Sequence, residues 1–217
     1  KNTKRIAEIN LAKKIASLDK MKNLLQNLKS KFNFTEDIKE IEVYDNSHFS
    51  GKEAIGSYVV ASKEGFLKHK YRKFNIKDSN TQDDYSMMQE VLTRRLKHGD
   101  LPNLIIIDGG KGQLSKVSEV LEIKNLKSIN LISISKGKDR NAEKERFFCK
   151  DGSEIILEKS DPLFYYLLRL RDEAHRYAIS NHKILRRKKL FTSEINLIPS
   201  VGAKKKKNLL LFFKGLE

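Results

Sequence analysis

The run Leu104-Ile105-Ile106-Ile107, closed by Asp108-Gly109-Gly110-Lys111-Gly112, constrains the fold more than any other stretch of the 217 residues. Successive side chains of a strand point to opposite faces, so four apolar residues in a row need a covered surface on both sides. Such a strand belongs inside a sheet with helices above and below it. The glycines end it, and a helix is expected from 113 to 122.

The flanking sequence supports this reading. Ile41 to Tyr44 reads as a strand leading into Asp45-Asn46-Ser47-His48, a second β-rich run covers 54–61 after a turn at Gly51, and 66–76 reads as a third strand carrying Lys68, Lys70 and Arg72. Thr81 and Asp84 have the spacing of a capping box, and Met88, Val91, Leu92 and Leu96 form the stripe of the helix that follows. The stretch 131–135 repeats the strand-then-Lys-Gly pattern with Lys136 and Gly137, and Phe147-Phe148 and 155–157 flank Asp151-Gly152 as a hairpin. Asp161-Pro162 opens a last helix running to about His182, with Leu163, Leu167, Leu170, Ala174 and Ala178 as its apolar stripe. Strands followed by strands alternating with helices make a mixed-sheet α/β domain, expected over 35–182.

Outside that domain the pattern changes. Residues 1–34 read as an amphipathic linker helix on Ala7, Leu11, Leu18, Met21, Leu25 and Leu28, with Lys14 interrupting the stripe. Residues 183–191, with Lys183, Arg186, Arg187, Lys188 and Lys189, read as a basic linker or a phosphate-contacting stretch. From 192 to 217, a helix, a turn at Pro199 and Gly202, and a second helix with Lys204 and Lys205 make a helix-hairpin-helix pattern. The chain opens at Lys1 and stops within a helical pattern, which is expected of a piece of something longer.

Composition narrows the function. With 44 Lys and Arg against 28 Asp and Glu, the net charge is +16, a field that attracts polyanions and above all nucleic acid. The single cysteine, Cys149, excludes a disulfide framework and any cysteine-based zinc site. No apolar run approaches the ~20 residues of a membrane span. The expectation is a cytoplasmic protein without a membrane partner, by default a monomer.

Three residues carry the chemistry. Asp45 and Asp108 each stand at the carboxyl end of an expected strand, where α/β sheets bind ligands, so both can converge on one hard cation. His175 lies on the edge of its helix beside the apolar stripe, and imidazole ligates a divalent metal or acts as a base near neutral pH. Read singly, each has a plainer role: a turn former or helix cap for the aspartates, a surface side chain for the histidine. Gly109-Gly110-Lys111-Gly112 resembles a phosphate-cradling loop at a helix N-terminus, without the ending of a nucleotide-hydrolysing P-loop. Lys111 beside a phosphodiester is the better expectation, with Lys136 repeating that role.

Tyr44-Asp45-Asn46-Ser47-His48, Asp83-Asp84-Tyr85, Leu104 to Leu114 (LIIIDGGKGQL), Ser135-Lys136-Gly137 and Arg171-Asp172-Glu173-Ala174-His175-Arg176 occur in that order. Together they resemble the C-terminal half of the bacterial UvrC family, an excinuclease component of nucleotide-excision repair. The resemblance covers essentially the whole chain. It implies an RNase H-like endonuclease followed by helix-hairpin-helix DNA binding, with incision on the 5′ side of a lesion. The family's two aspartates and histidine correspond to Asp45, Asp108 and His175, expected to hold Mg²⁺ or Mn²⁺. The implied partners are damaged duplex DNA and, in the full-length protein, the UvrB helicase. Expected phosphate contacts are Arg72, Lys111, Lys136, Arg176, Arg186, Arg187, Lys204 and Lys205.

The sequence departs from the family in three places. Asn46 replaces the usual Ile beside the first aspartate, Ser200 replaces the first Gly of the hairpin, and the chain ends before a second hairpin. A DNA-binding scaffold without nuclease activity of its own is the alternative reading. A ribosome-type RNA binder is a third, which leaves Asp45 and Asp108 unaccounted for.

Overall fold

The computed structural model describes residues 2–49, 53–76, 84–135 and 145–192, with isolated positions from 202 to 212. In chain order the elements are α1 (Asn2–Lys31), β1 (Glu40–Phe49), β2 (Glu53–Ser62), β3 (Gly65–Phe66), β4 (Arg72–Asn75), α2 (Asp84–Arg95), β5 (Leu104–Asp108), α3 (Lys111–Ile123), β6 (Asn130–Ser135), β7 (Arg146–Cys149), β8 (Glu154–Ile155) and α4 (Pro162–Thr192). The strands form one sheet in the order β3-β2-β1-β5-β6-β7-β8, with β4 pairing a further part of β2. The three central strands β1, β5 and β6 run parallel, and all the outer pairings are antiparallel.

The apolar run of β5 behaves as its composition requires. Leu104 and Ile106 enter one core with Leu25 and Leu28 of α1 and Leu163, Leu167 and Ala174 of α4. Ile105 and Ile107 enter the opposite core with Val91 and Leu92 of α2 and Leu114, Val117 and Leu121 of α3. All four are fully buried, and at about 25 cal/mol per Å² each such side chain favours folding by about 1.5–3 kcal/mol. Two independent apolar faces make a three-layer arrangement of helices, mixed sheet and helices.

Three local expectations are revised. The strand expected to end at Tyr44 runs on to Phe49, because its pairing with β2 continues to Glu53, so Asp45 lies within β1 and only Asp108 ends its strand. The run 66–76 is two short strands, β3 and β4, separated by a 3₁₀ turn at Lys68–Lys70. Phe66 pairs with Ala61 and Arg72 with Tyr58, so residues 67–71 lie opposite only Val59 and Val60 of β2. The surplus residues leave the ladder as the turn. The last helix does not stop near His182 but continues to Thr192, because no Gly or Pro follows Pro162 in it and Lys, Arg and Leu all favour helix.

Helix α1 docks only by its second half. Leu25 and Leu28 are buried, while Ile6, Ile9, Leu11 and Ile15 are exposed. The chain divides into two compact units, Lys1–Ala178 and Ile179–Glu217. Of the second unit, the described part is the end of α4 and isolated positions. The expected cap residue Thr81 and the turn residue Pro199 lie outside the described residues.

Candidate metal centre

Asp45 and Asp108 are delivered by neighbouring parallel strands. Tyr44 of β1 stands opposite Ile107 of β5, so the next residue on each strand is an aspartate. Alternation fixes their side: Val43 and Ile106 face the α1/α4 core, and Asp45 and Asp108, two residues on, point the same way. Asp45 is buried at 5% exposure, and Asp108 is half-buried.

Helix α4 brings the third group. Its stripe of Leu163, Leu167, Leu170, Ala174 and Ala178 is buried against the sheet, and His175 emerges on the flank of that stripe. A hydrogen bond of 3.0 Å joins His175 Nδ1 to Asp45 Oδ2. A carboxylate oxygen only accepts, so the ring proton of this contact sits on Nδ1, and Nε2 is the nitrogen left to bind a cation or take a proton. One ligand atom from each of Asp45, Asp108 and His175 lies within 4.8 Å of the other two. Two carboxylates this close, one of them buried, repel each other unless positive charge lies between or beside them. Two hard oxygen donors and one imidazole are a donor set suited to Mg²⁺ or Mn²⁺, so the residues present fit the expected cation.

The loop after Asp108 adds unpaired amides. Gly110 precedes α3 with no side-chain cap, which leaves the first amides of the helix without intrahelical partners. The Gly109 N–H donates to Ile134 O at 2.9 Å, fixing the loop on β6. A Cβ on Gly109 would fall 1.4 Å from Gln113 Oε1, so a side chain there displaces Gln113. Lys111, the first residue of α3, is exposed and its ammonium lies 4.9 Å from the centre of the Phe148 ring, an attraction that orients it.

The other expected phosphate contacts are distributed. Arg72 is exposed on β4 and donates through Nη1 to the carbonyls of His69 and Tyr71, both at 2.8 Å. Arg176, beside His175, is held by Glu173 through Nε at 2.6 Å and Nη2 at 2.7 Å. Lys204 and Lys205 are helical and exposed, the side chains of Arg186 and Arg187 are not among those described, and Lys136 lies outside the described residues.

Sequence reasoning missed the polar fastenings around α4. The buried Tyr71 hydroxyl donates to Glu173 Oε1 at 3.0 Å, and Arg176 above all holds the Glu173 carboxyl below its ordinary range. Arg171 pairs with Glu145 at 2.6 Å. The three-residue spacing of Glu173 and Arg176 signals one of these pairs; the partners Tyr71 and Glu145 have no local signature.

Residues 29–179 match the UvrC RNase H endonuclease domain. The chain is 43% identical over 213 residues to UvrABC system protein C of Zymomonas mobilis, covering 93% of this chain and 32% of that protein. It is 45% identical over 196 residues to UvrABC system protein C of Wolbachia pipientis from Culex pipiens, covering 89% and 32%. It therefore spans about a third of the length of these curated relatives. Among solved structures it is similar to endonuclease V of Ciona intestinalis in complex with an inosine-containing DNA, at 17% identity and a TM-score of 0.39, over 64% of this chain and 61% of that one.

Proposed function

The chain belongs to the UvrC RNase H endonuclease domain family, and on that premise we propose that it is a divalent-metal-dependent DNA endonuclease that makes the 5′ incision of bacterial nucleotide-excision repair. The observation that carries the reading is the convergence of Asp45, Asp108 and His175 from two strands and a distant helix. The proposed domains are a lead-in helix over 1–34, the nuclease over 35–182, a basic stretch over 183–191 and a helix-hairpin-helix segment over 192–217. Damaged duplex DNA is the proposed substrate and UvrB the proposed partner of the full-length protein, in the cytoplasm. No helix among the described residues is long and apolar enough to cross a membrane.

In this reading Asp45, Asp108 and His175 hold Mg²⁺ or Mn²⁺. A bound cation of this kind supplies Lewis-acid stabilisation of the phosphate and makes the attacking water more acidic. The chain's own residues do the rest. The ladder between β1 and β5 holds the two carboxylates side by side, and Asp45 orients the His175 ring through Nδ1. Lys111 and the free amides at the start of α3 take the phosphate beside the scissile one, where the helix N-terminus favours an anion. Arg72, Arg176, Lys136 and, separately, the basic residues beyond 183 are further proposed phosphate contacts. If about six phosphates are neutralised, the log–log salt slope of DNA affinity is about −5.

The test is nicking of supercoiled plasmid in Mn²⁺, Mg²⁺ or EDTA, with wild type beside Asp45→Asn and Asp108→Asn. Metal-dependent nicking lost in both variants, with DNA binding retained, supports the site. Wild-type cutting by either variant removes it. His175→Ala is expected to cut more slowly, and an unchanged rate returns His175 to the surface.

A further inference from the structure

The two aspartates are held relative to each other by backbone hydrogen bonds, but His175 is not. It rides on α4, which reaches the sheet through side chains. An apolar stripe is non-directional, and on its own it tolerates a small rotation or slide of the helix, enough to move a flanking imidazole away from Asp45. The structure supplies polar fastenings at this point. At about 100° per residue, Arg171 lies about 40° from His175 on the same flank, one turn earlier, whereas Glu173 lies on the opposite flank.

Arg171 Nη1 is 2.6 Å from Glu145 Oε1, with side-chain exposures of 12% and 7%. Glu145 directly precedes β7, whose first residue Arg146 pairs with Ser135 at the end of β6. Ile134, one residue before Ser135, pairs with Asp108. Glu145 is thus anchored at the same end of the sheet as Asp108, and Arg171 ties α4 to that end. Glu173, held by the Tyr71 hydroxyl at 3.0 Å, pins the other flank.

We propose that the buried Glu145–Arg171 ion pair is a positioning device for His175, setting the rotation of α4 so that the imidazole meets the two aspartates. This rests on the metal-centre reading above. Both residues act through α4 and neither is a ligand. A buried ion pair is a poor device for stability alone, since well-packed apolar groups often do as well in its place. It joins one charged group on α4 to one fixed carboxylate, which an apolar contact does not.

The experiment compares this chain with its Arg171→Met, Arg171→Lys, Glu145→Gln and Asp108→Asn variants, reading Mn²⁺ affinity by electron paramagnetic resonance, thermal midpoint by circular dichroism, and nicking kinetics. Arg171→Met and Glu145→Gln are expected to bind Mn²⁺ at least about tenfold more weakly while folded, the usual scale for losing a group that orients a ligand. In nicking, kcat falls while KM for plasmid holds. The contact uses one guanidinium nitrogen, so Arg171→Lys is expected to recover most of the affinity. It also keeps the test alive if Arg171→Met fails to fold, as does the isosteric Glu145→Gln. A lower thermal midpoint with wild-type Mn²⁺ affinity in the folded variants overturns the positioning role, leaving the pair as scaffold only. Asp108→Asn separates the two claims. If it binds Mn²⁺ as wild type does, the metal centre falls and the inference with it. If it loses Mn²⁺ while Arg171→Met and Glu145→Gln do not, only the positioning falls.

Discussion

Glu42 on β1 and Arg95 at the end of α2 form a buried ion pair, with Glu42 Oε1 accepting from Arg95 Nη2 at 2.6 Å and from Nε at 2.9 Å. Glu42 is 1% and Arg95 6% exposed. The Tyr44 hydroxyl donates to the other carboxylate oxygen at 2.5 Å, and the guanidinium also donates to the carbonyls of His98, Gly99 and Asp100. Burial pushes the Glu42 carboxyl above its ordinary range, against the pull of Tyr44 and Arg95. Removing the cation strands that carboxylate. Arg95→Met is expected to cost about 3–5 kcal/mol, read from urea unfolding. The double variant Glu42→Leu, Arg95→Met should lose less than the two single losses added together.

Asp161 ties the start of α4 to α1. Its Oδ1 accepts from the Leu163 amide at 2.9 Å and from Asn27 Nδ2 at 3.3 Å, and Lys31 lies 3.1 Å from Oδ2. Burial pushes its carboxyl up, but the Leu163 amide, Lys31 and Asn27 outweigh it, and the net direction is down. A folded pKa below the unfolded one adds stability that is complete above the unfolded value and disappears as pH falls through the folded one. Asp161→Ala is expected to cost about 1 kcal/mol at neutral pH, the usual worth of an N-cap. Asp161→Asn keeps a capping oxygen but cannot ionise. Its urea midpoint should fall below wild type at pH 7 and converge with it in acid.

Leu28→Ala is expected to cost about 2–5 kcal/mol, because Leu28 is fully buried between α1 and the sheet. Leu11→Ala, on the exposed half of the same helix, should change stability by less than about 0.5 kcal/mol. Equal losses at the two positions would show that the first half of α1 is docked as well. Chemical denaturation of the two variants decides it.

Lys111→Ala is expected to weaken duplex binding similarly for all sequences and to flatten the log–log salt slope by about one. The Phe148 ring that orients the ammonium stays in place, so the thermal midpoint should hold. Titrating DNA at several salt concentrations measures both quantities. An unchanged slope would remove Lys111 from the proposed phosphate contacts.

Much of the layered core was legible because it rests on short periods. The apolar run of β5 announced a strand covered on both faces, and the stripe from Leu163 to Ala178 announced the buried side of α4 and put His175 at its edge. Where the run 66–76 and helix α1 differed from expectation, a contact distant in sequence was responsible. Nothing near Lys68 says that residues 67–71 must face only two residues of β2. The apolar positions of α1 likewise look alike in sequence, yet only those near Leu28 reach the sheet. Of the candidate site, the residue types and the strand end at Asp108 were readable, and alternation decides which side chains share a face; that β1 runs on past Asp45 in its hairpin with β2 was not.

Local pattern was enough to place most of the elements, the faces they bury, the surplus of positive charge and the three side chains able to hold a hard cation, since charge and the periods of 2 and 3.6 are properties of short stretches. It took the packed fold to set β1 beside β5, to bring His175 to Asp45 across 130 residues, and to make Glu145 the partner of Arg171. Those pairings follow from closing long loops and packing two cores around one sheet, and no local pattern encodes which distant residue will be there.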